Sequence, residues 1–358
     1  MRVLVTGAEG YIGAVLAPYL AARGHTVVGL DTGFYAAGRL YQDGQDKPRI
    51  LVRDIRKVTR QDLAGYDAVV HLAELSNDPL GSHDPANTFD INHRGSMHLA
   101  TMAKAAGVGR FIYASSCSVY GAGSDAPRAE TSATAPQTPY AECKLLCESG
   151  LAGLADASFI TTCLRNATAF GASPRMRFDV VLNNLAGLAW TDREIAMISD
   201  GTPWRPLVHV RDIAQAVELV LRAEPEAVNR EVFNVGSDDQ NYRVREIAEI
   251  VAAAFPGCRM SFGASSGDNR SYRVSFAKIR RHLPEFACQH DAVRGAAELH
   301  SLFQAIRLDR ETFVAPPFTR LSELKRLMAS GQIDDRFFWR PTDLDVAVRS
   351  PACDRAVA

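Results

Sequence analysis

Val3-Leu-Val-Thr-Gly-Ala-Glu-Gly-Tyr-Ile-Gly13 sets a short aliphatic run directly before three glycines spaced Gly7-x-x-Gly10-x-x-Gly13, and a helical pattern follows. A strand, a tight turn and a helix N-terminus in that order present backbone N–H groups and a helix dipole to a pyrophosphate. Glycines are required because the phosphate must come close to the backbone; a tight turn with helix-packing glycines is the plain alternative. Asp31 decides between the two. It closes the second strand 18 residues after Gly13, where a carboxylate holds both ribose hydroxyls of a dinucleotide. The same carboxylate repels a 2′-phosphate, so NAD(H) is expected as cofactor rather than NADP(H). The expected cofactor contacts are Gly7, Gly10, Tyr11, Ile12, Gly13 and Asp31. Asp54 and Ile55, after the third strand, are placed to meet the adenine, with a strand-end cap as the alternative for Asp54.

Working outward, short β-branched runs alternate with helical patterns. Strands are expected at Val3–Val5, Val27–Leu30, Ile50–Val52, Ala68–Leu72, Phe111–Ala114, Phe159–Leu164 and Val232–Val235. Helices are expected at about Tyr11–Arg23, Pro85–Ala106, Tyr140–Leu154 and Val180–Trp190. Repeated β-α-β units give a parallel sheet covered on both faces. The expected fold is therefore α/β, a Rossmann doubly wound parallel sheet with a smaller, mainly helical C-terminal substrate-binding domain. Residues 1–166, with a returning segment at about 205–236, are assigned to the NAD-binding domain. Residues 167–204 and 237–343 are assigned to the substrate domain, and 344–358 to a flexible tail. Leu321, Leu324 and Leu327 have the spacing of a core-packing helix.

The 358 residues carry a formal net charge of −1, with 47% hydrophobic and 23% charged side chains, which fits a soluble globular protein. Nothing in this balance attracts nucleic acid or an anionic membrane. Met1-Arg-Val-Leu-Val runs straight into a strand and leaves no room for a signal peptide, so a cytoplasmic protein is expected. The 7 cysteines are scattered. Cys143 and Cys147 have helical rather than CxxC spacing, so neither a disulfide framework nor a metal site is expected.

Tyr140-Ala-Glu-Cys-Lys144 carries the chemistry. On a helix, positions i and i+4 share a face, and an ammonium beside a phenol favours the phenolate, lowering a pKa of about 10. Such a pair is a general base in prospect.

With Thr6–Gly13, Asp31, His71-Leu72-Ala73, Asn92, Ser115-Ser-Cys-Ser-Val-Tyr-Gly121 and Tyr140-x-x-x-Lys144, residues 1–285 resemble the extended short-chain dehydrogenase/reductase family. The likeness is greatest to its NAD-dependent nucleotide-sugar epimerases and dehydratases. The resemblance implies that Ser116 hydrogen-bonds the reacting hydroxyl, that Tyr140 is the base, and that Lys144 binds the nicotinamide ribose. It adds Leu72, Ala73 and Asn92 to the cofactor contacts. Arg205 resembles the arginine that grips the nucleotide diphosphate, with a surface salt bridge as the alternative. Asn184-Leu185 resembles the pair that meets the same nucleotide, with an ordinary helix-start residue as the alternative for Asn184. His209 is expected to pack beneath that loop. A nucleotide-diphosphate sugar is the implied partner, and a homodimer, formed by the Asn92 and Tyr140 helices, the implied assembly.

Several positions depart from the family pattern. The dehydratases place an Asp-Glu pair after the Ser/Thr; here Cys117 and Ser118 stand there, which disfavours 4,6-dehydration. Cys117 is one residue out of register with the cysteine of the 3,5-epimerase/reductases and is expected to be buried. Asn166 and Thr168 replace the Tyr and Asn of many members, and Ser265 replaces an arginine whose charge Arg270 is placed to supply. Ser76, Asn77 and Asp78, after the fourth strand, are candidates for sugar contacts, with simple turn chemistry as the alternative. Ser118 and Thr168 join the substrate set. The activity these residues imply is oxidation at C4 of a nucleotide-linked sugar, either returned as 4-epimerisation or ending as a 4-dehydrogenase or ketoreductase. A non-catalytic NAD-sensing protein is the reading from another class.

Overall fold

Alternation along β1 (Arg2–Thr6) sends Val3 and Val5 to one side of the sheet and Leu4 to the other, and all three are fully buried. A strand buried on both sides needs helices on both faces. The computed structural model describes residues 1–42, 44, 47–76, 78–122, 126–264 and 271–341. After β1 come β2 (Thr26–Asp31), β3 (Arg49–Val52), β4 (Ala68–His71), β5 (Arg110–Ser116) and β6 (Ile160–Asn166). Three short strands follow, β7 (Thr168–Phe170), β8 (Glu194–Met197) and β9 (Trp204–His209), before β10 (Glu231–Val235). The main sheet has seven strands in the order β10-β6-β5-β4-β1-β2-β3, with every pairing parallel. The seven strands expected from the sequence are the seven of this sheet.

One face is covered by the Gly13–Ala21 and Val210–Arg222 helices, which bury Leu16, Leu20, Val217 and Leu221. The other is covered by the Ser96–Ala105 and Pro139–Leu154 helices through Leu99 and Leu151. Each such side chain contributes about 1.5–3 kcal/mol by leaving water. The C-terminal Arg320–Ala329 helix packs on this second face, with Leu324 and Leu327 buried beside Ile333 and Phe337. A third core, among the Val181–Thr191, Val244–Ala254 and Ala292–Ile306 helices, contains Leu182, Phe255, Leu299 and Phe303. Among the described residues no helix is long and apolar enough to cross a membrane.

Three expectations need correcting. The first helix starts at Gly13, not Tyr11, so Tyr11 and Ile12 belong to the turn. The expected Pro85–Ala106 helix is divided, with α-helix at Pro85–Thr88 and Ser96–Ala105 on either side of π-helical Phe89–Gly95. The later half of the chain also carries more strand than helical spacing implied. β11 (Asn241–Arg243) joins β9 and β7, and β12 (Arg259–Phe262) pairs with β8. These strands are too short to show a period of their own.

Strand order reverses between β1 and β4, and in such sheets the ligand crevice lies beyond the carboxyl ends at that point. Gly7 follows β1 there, and Leu72 follows β4.

Candidate functional site

At the crevice Gly7 adopts φ +70, and a Cβ on it would stand 2.9 Å from the Ala73 nitrogen; one on Gly13 would stand 2.1 Å from the Gly7 carbonyl oxygen. The turn, packed this closely on the protein's own backbone, therefore admits no side chain at either position. Beneath it, Thr6 Oγ1 and His71 Nδ1 are 2.7 Å apart, and His71 Nε2 and Ser96 Oγ are also 2.7 Å apart. Burial, assisted by Lys144, pushes the His71 pKa down to about 3, so this chain of hydrogen bonds runs through a neutral ring.

Gly7, Gly10, Tyr11, Ile12, Gly13 and Asp31 line a cavity of about 720 Å³. Asp31 Oδ2 accepts from the Glu9 N–H at 3.0 Å and Oδ1 from the Gly33 N–H at 2.8 Å. Burial raises its pKa against the Gly33 bond and the positive charge of Arg320. Ile55, Leu72 and Ala73 line the same cavity. So does Asp54, but its carboxylate caps the turn after β3, accepting from Arg56 N at 2.8 Å and pairing with Arg56 Nη2 at 2.7 Å. The strand-end cap weighed for Asp54 is the role its carboxylate takes.

Ser116, Tyr140 and Lys144 line this cavity too. Ser116 ends β5; Tyr140 and Lys144 lie on the Pro139–Leu154 helix. That helix is started by Pro139 in its first turn and by Thr138, whose hydroxyl accepts from Ala141 N at 3.2 Å. Thr138→Ala is expected to lower stability by about 1 kcal/mol, readable as a shift in the denaturation midpoint. Ser116 Oγ accepts from Ser118 N at 3.1 Å, which caps the next turn and still leaves its O–H free to donate. Lys144 Nζ lies 5.3 Å from the centre of the Tyr140 ring. It contacts Glu74 Oε2 at 2.5 Å and the Ala114 carbonyl at 2.5 Å. Burial works against the ammonium, but Glu74 and then Tyr140 outweigh it and hold the Lys144 pKa above the usual lysine value.

The expected substrate residues divide. Ser76, Ser118, Thr168, Asn184 and Arg205 line the cavity, as does Asn166. Ser118 Oγ and Asn166 Oδ1 are buried without a protein partner, as suits atoms that meet a ligand. Asn184 Nδ2 donates to Phe178 O at 2.9 Å, and Ser76 Oγ accepts from Arg177 at 3.2 Å. Leu185 instead faces the helical core. Asn92 does not reach the cavity lining. Its Oδ1 accepts from Leu75 N at 2.8 Å and its Nδ2 donates to Leu75 O at 3.0 Å, so the amide pins the loop after β4. Asn77, Ser265 and Arg270 lie outside the described residues, and Asp78 begins a short helix. Cys117 is buried with its thiol against Arg165 O at 3.1 Å, and burial pushes its pKa up. His209 is fully buried, caps the Val210–Arg222 helix and stacks on His290 at 4.1 Å.

Sequence reasoning missed several charged groups of the cavity, among them Glu74, Arg177, Asp179 and Arg320. Glu74 stands in the loop just after the fourth strand, and Arg177 and Asp179 lie between regular elements, where no local pattern marks a site. Arg177 Nε meets Asp179 Oδ1 at 2.7 Å. Arg320 comes from the C-terminal helix, and its spacing beside Leu321 gave no sign that it lines the cavity.

The glycine turn, the Asp31 carboxylate and the two unpartnered polar atoms form a fitting receptacle for a dinucleotide beside a polar substrate. The comparisons agree. The chain is 30% identical over 268 residues to a UDP-glucose 4-epimerase of Streptomyces lividans, covering 70% of this chain and 80% of that protein. It is 28% identical over 260 residues to a UDP-N-acetyl-alpha-D-glucosaminuronate decarboxylase of Bacillus cytotoxicus, covering 70% and 79%. A solved UDP-glucose 4-epimerase from Stenotrophomonas maltophila, with NAD and formylated UDP-arabinopyranose bound, matches with a TM-score of 0.71 at 26% identity. The match covers 85% of this chain and 99% of that one. Residues 3–236, more than half of the chain, match the family model itself. A parallel sheet that reverses at a glycine turn, and a Ser, a Tyr and a Lys brought to one cavity beside it, are thus features of a member of the NAD dependent epimerase/dehydratase family, to which this chain belongs.

Proposed function

We propose that this protein interconverts the C4 epimers of a nucleotide-linked hexose, UDP-linked in the first instance, with Tyr140 as the base. Bound NAD supplies the hydride acceptor and donor. The Tyr140 phenolate takes the proton from the sugar O4 as the C4 hydride leaves, and returns it when the ketone is reduced on its other face. Lys144 keeps the phenolate accessible through its positive charge. The Ser116 O–H donates to O4 as negative charge builds there. Gly7, Gly10, Tyr11, Ile12, Gly13 and Asp31 hold the dinucleotide; Ser76, Ser118, Thr168, Asn184 and Arg205 surround the substrate.

The observation that carries this reading is the meeting of Ser116, Tyr140 and Lys144 in the cavity of the glycine turn and Asp31, with no carboxylate after Ser116. Elimination of water from C5 and C6 needs an acid/base pair at that place. Cys117 is turned away against Arg165 O, and Ser118 offers only a hydroxyl.

The test is incubation of the purified protein with a panel of nucleotide sugars, read by mass spectrometry and NMR. A new sugar isomer of unchanged mass supports epimerisation. Loss of two hydrogens makes the protein a 4-dehydrogenase, and loss of water or of carbon dioxide overturns the reading.

The role of Asp31 is tested separately. Asp31→Asn keeps its shape but removes the charge that accepts from the ribose and repels a 2′-phosphate. The affinity for NADH, followed by fluorescence titration, is expected to fall about tenfold, and the gap between NADH and NADPH to narrow. An unchanged ratio of the two affinities would exclude Asp31 as the discriminating group.

A further inference from the structure

Arg320 is the most unusual charge of the cavity. It lies beyond the part of the chain that matches the family model, on a helix bolted to the sheet by Leu324 and Leu327 and followed by a segment tied down at Trp339, whose Nε1 donates to Thr32 O at 2.7 Å. Its residue is only 3% exposed, yet it lines the cavity. Among the described residues no carboxylate lies within ion-pairing distance of its guanidinium; its side chain donates only to Pro317 O, at 3.5 Å, and lies 4.0 Å from the centre of the Tyr35 ring. The nearby Asp179 carboxylate pairs with Arg177 instead and reaches Arg320 only at its backbone N–H, at 3.3 Å. Burial, and then the neighbouring Arg177, push the Arg320 pKa down to about 10, against the Tyr35, Asp179 and Asp31 side chains, which act on it without pairing with its guanidinium. A buried guanidinium with most of its donors unused is costly unless an anion completes it.

The anion must enter from the cavity, because protein encloses the group on its other sides. We propose that Arg320 is a phosphate-binding residue, supplied by the C-terminal helix, that grips the diphosphate of a ligand in this cavity. The planar guanidinium fork matches phosphate oxygens. Two ligands of the proposed reaction carry a diphosphate, the dinucleotide and the nucleotide sugar, and to that extent the inference rests on the function proposed above.

The test compares the full-length protein with Arg320→Gln and Arg320→Lys by titration with NADH and, separately, with UDP. Loss of a charge-assisted hydrogen-bonding fork is expected to weaken one ligand about 10- to 100-fold in Arg320→Gln, with Arg320→Lys intermediate and the other ligand changed less than about threefold. Weaker NADH alone assigns Arg320 to the diphosphate of the dinucleotide; weaker UDP alone assigns it to the nucleotide sugar. The proposal is overturned if neither affinity moves, or if both fall by the same factor, as a collapsed cavity would give. If Arg320→Gln does not fold, Arg320→Lys decides: about tenfold weaker binding of one ligand supports the proposal, and unchanged binding of both overturns it. Should the wild-type protein bind no UDP at all, the proposed substrate falls while the NADH arm still judges Arg320.

Discussion

Tyr140→Phe is expected to lower turnover by about 10²- to 10⁴-fold, the range over which a positioned general acid or base contributes. The substitution removes one oxygen and nothing else, so the ring keeps its place above Lys144 and the helix keeps its Thr138 cap. The NADH affinity should change by less than about threefold, because the glycine turn and Asp31 are untouched. In a single turnover with the active nucleotide sugar, the transient absorbance of reduced cofactor should disappear, since the proton on O4 has nowhere to go as the hydride departs. A rate within threefold of wild type would remove Tyr140 as the base and with it the proposed chemistry. Ser116→Ala provides the contrast. It leaves the base in place and removes only a donor to the reacting oxygen, so a smaller loss than that of Tyr140→Phe is expected.

The framework around Tyr140 was legible because its signals are local. Val3–Val5 leads into the glycines, each later strand of the main sheet announces itself by a short apolar run, and Asp31 stands at the end of the second strand. Tyr140 and Lys144 need only a helix to share a face. What the sequence did not disclose depends on contacts between distant segments. Nothing near Asn92 says that both ends of its amide will close on Leu75, or that the helix will widen to a π-turn at that point. Leu185 follows Asn184 directly, but one step along a helix turns a side chain by about 100°, enough to move it from the cavity to the core. Arg320 belongs to a helix whose leucine spacing describes only its packing face. Local patterns say which face of an element is buried; they do not say which other element a charge on its rim will meet.

Glu74 is the clearest case of such a meeting, and breaking it is expected to cost about 3–5 kcal/mol of stability, the loss typical when one partner of a buried ion pair is removed. Its carboxylate follows β4, accepts from the Tyr113 hydroxyl at 2.6 Å and pairs with Lys144. Both side chains are almost wholly buried, at 2% and 5% exposure. Glu74→Ala therefore leaves an ammonium in the interior without a counter-charge, and the denaturation midpoint should fall accordingly. The double variant Glu74→Leu/Lys144→Met removes both charges and should recover most of that loss while remaining inactive. A coupling energy of this size between the two sites is what separates a pair from two independent residues. There is a catalytic consequence as well. The Ala114 carbonyl accepts from the ammonium at 2.5 Å, and Glu74 Oε2 stands against the same ammonium as its counter-charge. The carboxylate also offsets the positive field that the phenol feels, so the Tyr140 of the folded enzyme faces a compensated cation. Glu74→Gln retains an acceptor for Lys144 but removes that compensation, and an unopposed ammonium favours the phenolate more strongly. The acidic limb of the pH–rate profile, where the base gains its proton, is then expected to move to lower pH by about one unit, in a variant more stable than Glu74→Ala. A profile that stays in place, with a midpoint within 1 kcal/mol of wild type for Glu74→Ala, would reduce Glu74 to a neighbour of Lys144 without influence on it.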